Sequence, residues 1–259
     1  PYVTYDSKYM ESVWWLLKQI YDKNLLYKGY TVQPYSPKAG TGLSSHELNQ
    51  PGTYQDITDT TVVAQFLALD ETLPNILKDK GKIYFLAWTT TPWTLPSNTA
   101  LTVGLKIKYV LVKTYNQYTF KSINVILATD LLEKQFNSNF VRVDDEKILK
   151  LYNSGDKQIP YYVSDTFLGD VLVGIKYHQL MDYCLPHENA ENAFRVISAD
   201  FVNVEDGTGI VHTAPTFGAD DAIAAKQANP EIPPMLVKDK FGNLVPLVDL
   251  QGRFRNEVT

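Results

Sequence analysis

The chain contains 259 residues, of which 44% are hydrophobic, and this is enough for a substantial folded core and excludes a disordered protein. Its formal net charge of -5 argues against a protein that coats nucleic acid through clustered Lys and Arg, so a phosphate-bearing partner would have to be held locally. No apolar run approaches the roughly 20 residues of a membrane span, which excludes a membrane-spanning helix.

The first predicted element is an amphipathic helix that Asp6 or Ser7 can cap and that ends near Gly29. Its apolar positions recur at intervals of three and four residues: Met10, Val13, Trp14, Leu17, Ile20 and Tyr21. Residues 30–33 are expected to be extended, and the turn-rich segment 34–40 marks a boundary. We therefore expect residues 1–40 to be a flanking segment with a helix and a strand, and residues 41–259 to be the main domain with linking segments.

The remainder of the chain is dominated by short strand patterns. Strands are predicted at 61–69, 83–88, 109–113, 123–128, 160–166, 171–177, 196–199, 209–213 and 244–248. Helices are predicted near 73–78 and 130–136, and a hairpin turn near 116–117. Many short strands with few helices indicate an α+β, mainly β fold with a β-barrel-like core decorated with helices.

One unusual stretch, 207–221, reads Gly-Thr-Gly-Ile-Val-His-Thr-Ala-Pro-Thr-Phe-Gly-Ala-Asp-Asp. Its glycines predict a tight turn before a short strand that ends in His212. Asp220 and Asp221 follow just where a run of helix formers begins. An Asp at such a place is commonly a helix cap, and a His after aliphatic residues is often structural. One Asp suffices for a cap, so the second is available for a polar pocket.

A second unusual stretch, 88–98, reads Trp-Thr-Thr-Thr-Pro-Trp-Thr-Leu-Pro-Ser-Asn. Thr89, Thr90 and Thr91 follow a strongly predicted strand. Because threonine is β-branched, the simpler interpretation is a strand end with a proline-marked turn. Three consecutive hydroxyls nevertheless need hydrogen-bond partners, and a substrate or a water could supply them.

Together, the two stretches closely resemble the two signature stretches of the editing domain (connective polypeptide 1) inserted in isoleucyl-tRNA synthetase, a class I aminoacyl-tRNA synthetase. The related valyl and leucyl enzymes typically carry Thr-Thr-Arg-Pro where this chain has Thr-Thr-Pro-Trp at 90–93. The flanking segments 9–15 and 44–47 also resemble those that lead into the inserted domain, so the resemblance covers essentially the whole chain. Residues 41–259 would be the editing domain with linking segments.

The departures from the family pattern are also informative. The ATP-binding signatures of the parent enzyme, His-x-Gly-His and Lys-Met-Ser-Lys-Ser, do not occur in the sequence, so we expect an excised domain without ATP-dependent ligase activity. Many relatives have Cys-x-x-Cys where this chain has Ser-Pro-Lys-Ala at 36–39. The single cysteine, Cys184, with His178 and His187 nearby makes a poor zinc site and fits a reducing compartment, so we expect no metal, no cofactor and a cytoplasmic location.

The resemblance implies an aminoacyl-tRNA deacylase. Valine differs from isoleucine by one methylene, which a single pocket discriminates poorly, so a second site must hydrolyse the mistake. The implied reaction is hydrolysis of the ester between valine and the terminal adenosine of tRNA(Ile). The implied partners are the 3' end of the aminoacylated tRNA and the remainder of the synthetase in cis, with no membrane partner and a monomeric state.

The resemblance also implies roles for individual residues. Asp221 would pair with the α-ammonium of the amino acid, while Asp220 would be the helix cap. His212 would lie near the amino-acid side chain and set a size limit, with a role as general base as the second choice. Thr89, Thr90 and Thr91 would hold the ester and a water. Trp93 and Asn98 would shape the wall or the adenosine side of the site, and Gly209 would also bind the substrate.

Two other functions remain open at this point. The chain could be a non-catalytic module that binds the tRNA acceptor end, in which case the same residues would be architectural. It could also be an unrelated hydrolase of free esters, although the sequence shows no nucleophile with its base. The editing hypothesis requires that the stretches 88–98 and 207–221 face one cavity.

Overall fold

The computed structural model describes residues 3–27, 29 and 31–258, so Tyr30 of the predicted extended segment lies outside the described residues. The chain divides into two compact units, one up to Thr31 and one from Val32 onwards. The predicted domain division, 1–40 and 41–259, remains a prediction. Among the described residues, no helix is both long enough and apolar enough to cross a membrane.

The first unit contains helix α1 (Ser7–Asp22). Asp6 caps it as predicted, because its carboxylate accepts the Lys8 N–H at 2.9 Å. The helix ends before the predicted Gly29 because Asn24 takes a left-handed conformation, with φ of 55°. The N–H groups of Asn24 and Leu25 then bond back to Tyr21 and Ile20, which satisfies the last carbonyls of the helix.

The second unit is mainly β, and short helices connect its strands. Its α-helices are α2 (Ser45–Leu48), α3 (Leu132–Gln135) and α4 (Ala219–Gln227). Its strands are β1 (Tyr35–Ser36), β2 (Thr41–Gly42), β3 (Val62–Leu67), β4 (Ile83–Thr89), β5 (Ala100–Val103), β6 (Lys108–Tyr115), β7 (Ser122–Ala128), β8 (Phe140–Arg142), β9 (Ile159–Leu168), β10 (Arg195–Ser198), β11 (Ile210–Thr213), β12 (Leu236–Lys238) and β13 (Leu244–Pro246). Short 3-10 helices occupy Asp70–Thr72, Pro92–Ser97, Thr129–Leu131, Glu146–Leu151, Gly169–Leu172, Ala190–Asn192 and Asn256–Val258.

The main sheet has the order β10-β5-β11-β4-β7-β6-β9-β8, and β3 pairs with β4. Two isolated bridges close part of this sheet into a ring. Ala68, just after β3, pairs with Tyr177, and the adjacent Lys176 pairs with Arg195 of β10. Strands β3, β4, β11, β5 and β10 therefore surround a barrel-like core together with the segment around Tyr177. The predicted α+β, mainly β fold is confirmed.

The hydrophobic residues pack in clusters on both sides of the sheet. The largest cluster includes Phe66, Phe85, Leu101 and Tyr177, all of which are almost completely buried. A smaller cluster packs α4 against β5 and β10, with members Ala100, Ile197, Ala224, Ala225 and Ile232. Because this packing holds α4 beside β5, the first turn of the helix is fixed near the end of β11, the strand that pairs with β5.

Some predicted elements differ from the observed ones. The strand predicted at 171–177 is a 3-10 helix followed by isolated bridges, because Gly174 adopts a left-handed φ of 89° that interrupts an extended segment. The helix predicted at 73–78 is a turn that follows a 3-10 helix. The helix predicted at 130–136 is a 3-10 turn joined to α3. Strand β5 was not predicted, and all four of its residues are buried.

Candidate active site

Strands β4 and β11 bring the two unusual sequence stretches together. They are parallel neighbours, with Val211 paired to Trp88, so Thr89 lies beside His212. The carboxyl ends of neighbouring parallel strands meet at one edge of a sheet, and ligands commonly bind outside such an edge. The segment after Thr89 and the segment after Thr213 therefore converge.

A cavity of about 660 Å³ lies at this edge. It is lined by seven of the sequence-predicted site residues: Thr89, Thr90, Thr91, Trp93, Gly209, His212 and Asp221. Asn98 lies behind this wall and is buried. The two stretches thus share one cavity, which is the arrangement that the editing hypothesis requires.

His212 is a buried, neutral imidazole with both nitrogens hydrogen-bonded. The Asn98 amide Nδ2 lies 2.8 Å from Nδ1, and Thr94 Oγ1 lies 3.0 Å from Nε2. Because an amide nitrogen can only donate, Nδ1 is the acceptor and the ring hydrogen of the neutral side chain is on Nε2. Burial lowers the pKa of His212 to about 4, although a hydrogen bond with Thr94 raises it. In this arrangement neither nitrogen offers a lone pair to a water in the cavity.

The three consecutive threonines have different environments. Thr89 is buried, and its Oγ1 accepts the Thr91 N–H at 3.0 Å, whereas the Thr90 side chain is exposed. Thr91 Oγ1 lies 3.3 Å from Thr89 Oγ1 and 3.2 Å from Thr94 Oγ1. The Thr94 hydroxyl donates to the Thr91 carbonyl at 2.8 Å. The hydroxyls of Thr89, Thr91 and Thr94 therefore form one connected wall that ends at His212.

Thr94 was not among the sequence-predicted site residues. It lies in the 3-10 helix Pro92–Ser97, where positions three apart lie on one side, so Thr94 comes over Thr91. The sequence carried a signal for this arrangement, because a proline at the first position of a short helix fixes the turn that follows Thr91.

Two glycines also line the cavity. Gly207 and Gly209 have φ values of 77° and 74°, which side chains disfavour. A Cβ on Gly209 would overlap the Cβ of Ala128, and one on Gly207 would lie 2.9 Å from the Trp88 ring. The Tyr109 hydroxyl donates to the Gly209 carbonyl at 2.6 Å. Gly209 therefore contributes close packing and backbone to the cavity.

Asp221 lies in the first turn of α4 but does not cap it. The N-cap is Gly218, with no side-chain capping bond, so the prediction that Asp220 is the cap is wrong. The helix begins one residue before the acidic pair, which leaves Asp220 exposed. Asp221 Oδ2 accepts the Ala214 N–H at 2.9 Å, whereas its Oδ1 has no hydrogen-bond donor among the described residues. Burial raises the pKa of Asp221, the Ala214 bond lowers it, and the charge of Asp220 raises it further.

The cavity is electrostatically suited to a cation. Among the described residues its lining includes Glu205, Asp206 and Asp221 but no Lys or Arg. The Lys134 ammonium bonds to the Glu205 carbonyl and to the Asp206 carboxylate, and it is not a partner of Asp221. No group of three His, Cys, Asp or Glu within the described part of the chain is placed to hold a metal ion.

A family model described as tRNA synthetases class I (I, L, M and V) matches residues 1–213. The chain belongs to this family. The resemblance of the two motifs to a class I synthetase is thereby confirmed.

Class I synthetases that resemble this chain include proteins named isoleucine--tRNA ligase. The protein from Cytophaga hutchinsonii is 58% identical over 259 residues, which is 100% of this chain and 22% of that protein. The protein from Bacteroides fragilis is 57% identical over 254 residues, covering 98% of this chain and 21% of that protein. The chain spans about a fifth of the length of the curated relatives that it matches.

Solved structures of class I synthetase editing domains are more distant. The editing domain of P. knowlesi cytosolic leucyl-tRNA synthetase has a TM-score of 0.46 and 12% identity, covering 66% of this chain and 62% of that one. The structure named GlLeuRS-CP1 has a TM-score of 0.42 and 17% identity, covering 64% of this chain and 59% of that one.

The chain has a second cavity of about 530 Å³, and Trp88 lines both cavities. Its wall combines amide and aromatic side chains, including Gln65, Gln117, Tyr118 and Gln135. No Asp, Glu, Lys, Arg or His of the described residues lines it. The Gln135 amide donates to the Gly207 carbonyl at 2.9 Å, so the two cavities are separated by a thin wall.

Proposed function

We propose that this chain hydrolyses the ester of misacylated valyl-tRNA(Ile) and so removes valine that a larger isoleucine ligase has attached by mistake. The observation that carries the proposal is the cavity that combines a half-partnered carboxylate, a neutral imidazole and connected hydroxyls. The proposed partners are the 3' end of the aminoacylated tRNA and the rest of the ligase, and the proposed location is the cytoplasm. The family membership and the isoleucine ligase relatives support the choice of tRNA.

In this proposal, Asp221 binds the α-ammonium of the amino acid. Its Oδ1 has no donor among the described residues, and no Lys or Arg lines the cavity. An ammonium would therefore supply the missing donor and the missing positive charge. It would also favour the ionised carboxylate and oppose the effect of burial on the pKa of Asp221.

His212 limits the size of the amino-acid side chain. Its ring is held from both sides by Asn98 and Thr94, and it is only 7% exposed. A general base needs a lone pair directed at the attacking water, and the hydrogen-bonded tautomer offers none. A rigid wall can discriminate one methylene by about 10- to 200-fold, which suits the difference between valine and isoleucine.

The hydrolysis needs no covalent intermediate on the protein. A threonine nucleophile would need an adjacent base, and the only imidazole of the cavity among the described residues is engaged as above. A water held by the Thr89 and Thr91 hydroxyls attacks the ester carbonyl carbon. The bond between that carbon and the ribose oxygen breaks, and a proton from the water passes to the ribose oxygen. The products are free valine and tRNA with a free terminal hydroxyl.

The test is a deacylation assay with purified protein and tRNA(Ile) charged with labelled valine or isoleucine, run on the chain and on the ligase that contains it. We expect release of valine well above the spontaneous rate and much slower release of isoleucine. Equal release of both amino acids would contradict the size limit. Binding of the tRNA without release of valine by either protein would overturn the proposal and favour a non-catalytic module for the acceptor end.

A further inference from the structure

A chain of hydrogen bonds leads from the protein core to the cavity. The Tyr177 hydroxyl donates to Asn98 Oδ1 at 2.7 Å, and Asn98 Nδ2 donates to His212 Nδ1 at 2.8 Å. The ring then donates through Nε2 to Thr94 Oγ1. Tyr177 is 2% exposed, does not line the cavity and belongs to the segment that closes the barrel-like ring.

The orientation of the Asn98 amide is fixed at both of its ends. Oδ1 faces a hydroxyl donor, and Nδ2 also donates to the Ala100 carbonyl at 2.8 Å. The Tyr177 ring is held edge-on against Phe66 and Phe194, with centroid distances of 5.4 and 6.3 Å. Because burial holds the pKa of Tyr177 well above its usual value, the hydroxyl keeps its proton and remains a donor.

We propose that Tyr177 is a positioning residue which, through Asn98, holds His212 in the Nε2–H tautomer with a fixed ring plane and so sharpens the selection of valine over isoleucine. The part of this proposal that concerns selection rests on the proposed function, whereas the part that concerns the tautomer does not. Among the described residues, Asn98 is the hydrogen-bond partner of the Tyr177 hydroxyl.

Loss of the Tyr177 hydroxyl has a definite structural consequence. Asn98 Oδ1 would be left buried without a donor, which is costly, so the amide is driven to rotate or to shift. A rotated amide presents its oxygen to His212 Nδ1 and favours the Nδ1–H tautomer, but it gives up the Nδ2 bond to the Ala100 carbonyl. In Tyr177→Phe the two amide orientations therefore become closer in free energy, and both are populated. In the rotated orientation Nε2 becomes an acceptor, and its bond to Thr94 must reverse, which loosens the wall that Thr94 forms with Thr91.

The first experiment measures the His212 tautomer by long-range proton–nitrogen correlation NMR, with the signals assigned by their loss in His212→Gln. In the parent protein we expect only the Nε2–H form between pH 6 and 8, and a predominantly protonated or Nδ1–H ring in that range overturns the proposal whatever any variant does. In Tyr177→Phe we expect tautomer mixing or exchange broadening. Tyr161→Phe is the matched control, because Tyr161 is also buried but packs in the separate cluster around Phe136.

The second experiment measures selection, as the ratio of kcat/KM for valyl-tRNA(Ile) to that for isoleucyl-tRNA(Ile). We expect this ratio to fall roughly fivefold in Tyr177→Phe, the usual effect of one buried hydrogen bond, while kcat for the valyl ester changes little. Tyr161→Phe should keep the parent ratio. An unchanged tautomer in folded Tyr177→Phe overturns the inference even if deacylation is normal. Absence of deacylation in the parent protein overturns the proposed function and leaves the tautomer result standing.

Discussion

The two cavities that meet at Trp88 are similar in size, but their polar groups are in different states. The second cavity is lined by amide, hydroxyl, aromatic and aliphatic side chains, and no Asp, Glu, Lys, Arg or His is among its described lining residues. In the first, one oxygen of a partly buried carboxylate has no donor among the described residues, and a buried imidazole is held neutral. Such groups cost stability, and clefts that retain them are the usual places for chemistry. Volume and aromatic lining therefore do not distinguish the two cavities, whereas the carboxylate and the imidazole do.

The largest expected effect is that of removing the charge in the first cavity. We expect Asp221→Asn to lower kcat/KM for valyl-tRNA(Ile) by about a hundredfold, because a partly buried charge pair with the α-ammonium is lost. Asparagine keeps an acceptor for the Ala214 N–H, so the fold should persist. Deacylation rates and circular dichroism are the measurements.

Asp220→Asn is the matched control for that change, since Asp220 is the exposed neighbour in the same helical turn. It should retain nearly full activity. Equal rates for Asp221→Asn and the parent would remove Asp221 from the site, and an equal loss in both variants would point to a general effect of helix charge instead.

The second prediction concerns acid stability. It depends on His212 of the first cavity, whereas the second cavity has no histidine among its described lining residues. The pKa of His212 is about 4 when folded, below its ordinary value of 6.5, so the unfolded chain binds this proton first. The resulting stability is fully present above pH 6.5 and is lost as the pH falls towards 4, by about 3 kcal/mol in total. Urea unfolding at pH 7 and at pH 4 should show a smaller decrease in His212→Gln than in the parent.

His178→Gln is the control for the acid-stability measurement, because His178 is exposed. Its pH dependence should match that of the parent. If His212→Gln loses as much stability as the parent over the same range, the imidazole is not held neutral by burial, and the argument against a role as general base also fails.

Much of the fold can be predicted from the sequence, and the exceptions have physical reasons. Strands β3, β4, β6 and β7 were predicted because β-branched and aromatic residues lie between clear turn signals. Strand β5 was not, because all four of its residues are buried and it therefore lacks the alternation that marks a half-buried strand. A short apolar run after a proline-rich turn is compatible with several kinds of local structure, so its sequence does not identify a strand.

The candidate site, like the fold, could be predicted only in part from the sequence. The stretches 88–98 and 207–221 were found from the sequence because their residue types are unusual and contiguous. Tyr177 was not found, because it reaches Asn98 only after the barrel-like ring closes through pairing of Tyr177 with Ala68. Contacts made by ring closure leave no local signal in a sequence.

The third prediction distinguishes the two roles considered for His212. His212→Ala should open the wall of the first cavity, so the ratio of valyl to isoleucyl deacylation should fall by about tenfold, the lower part of the range for one methylene. The measurement is the rate of release of each amino acid from tRNA(Ile). A parallel loss for both esters would instead indicate a base, and it would contradict the size-limit role.

The smallest effect is expected in the second cavity. Gln65 lines that cavity and belongs to β3. It pairs with Leu86 of β4, which precedes Trp88 and Thr89 along that strand. Gln65→Ala should change kcat/KM for the valyl ester by less than about twofold, as surface substitutions remote from a buried network usually do. The Gln65 amide carries no charge to pair with an ammonium, and it is not among the hydrogen-bond partners of His212. A loss as large as that of Asp221→Asn would therefore show that the carboxylate and the imidazole are not what distinguishes the two cavities.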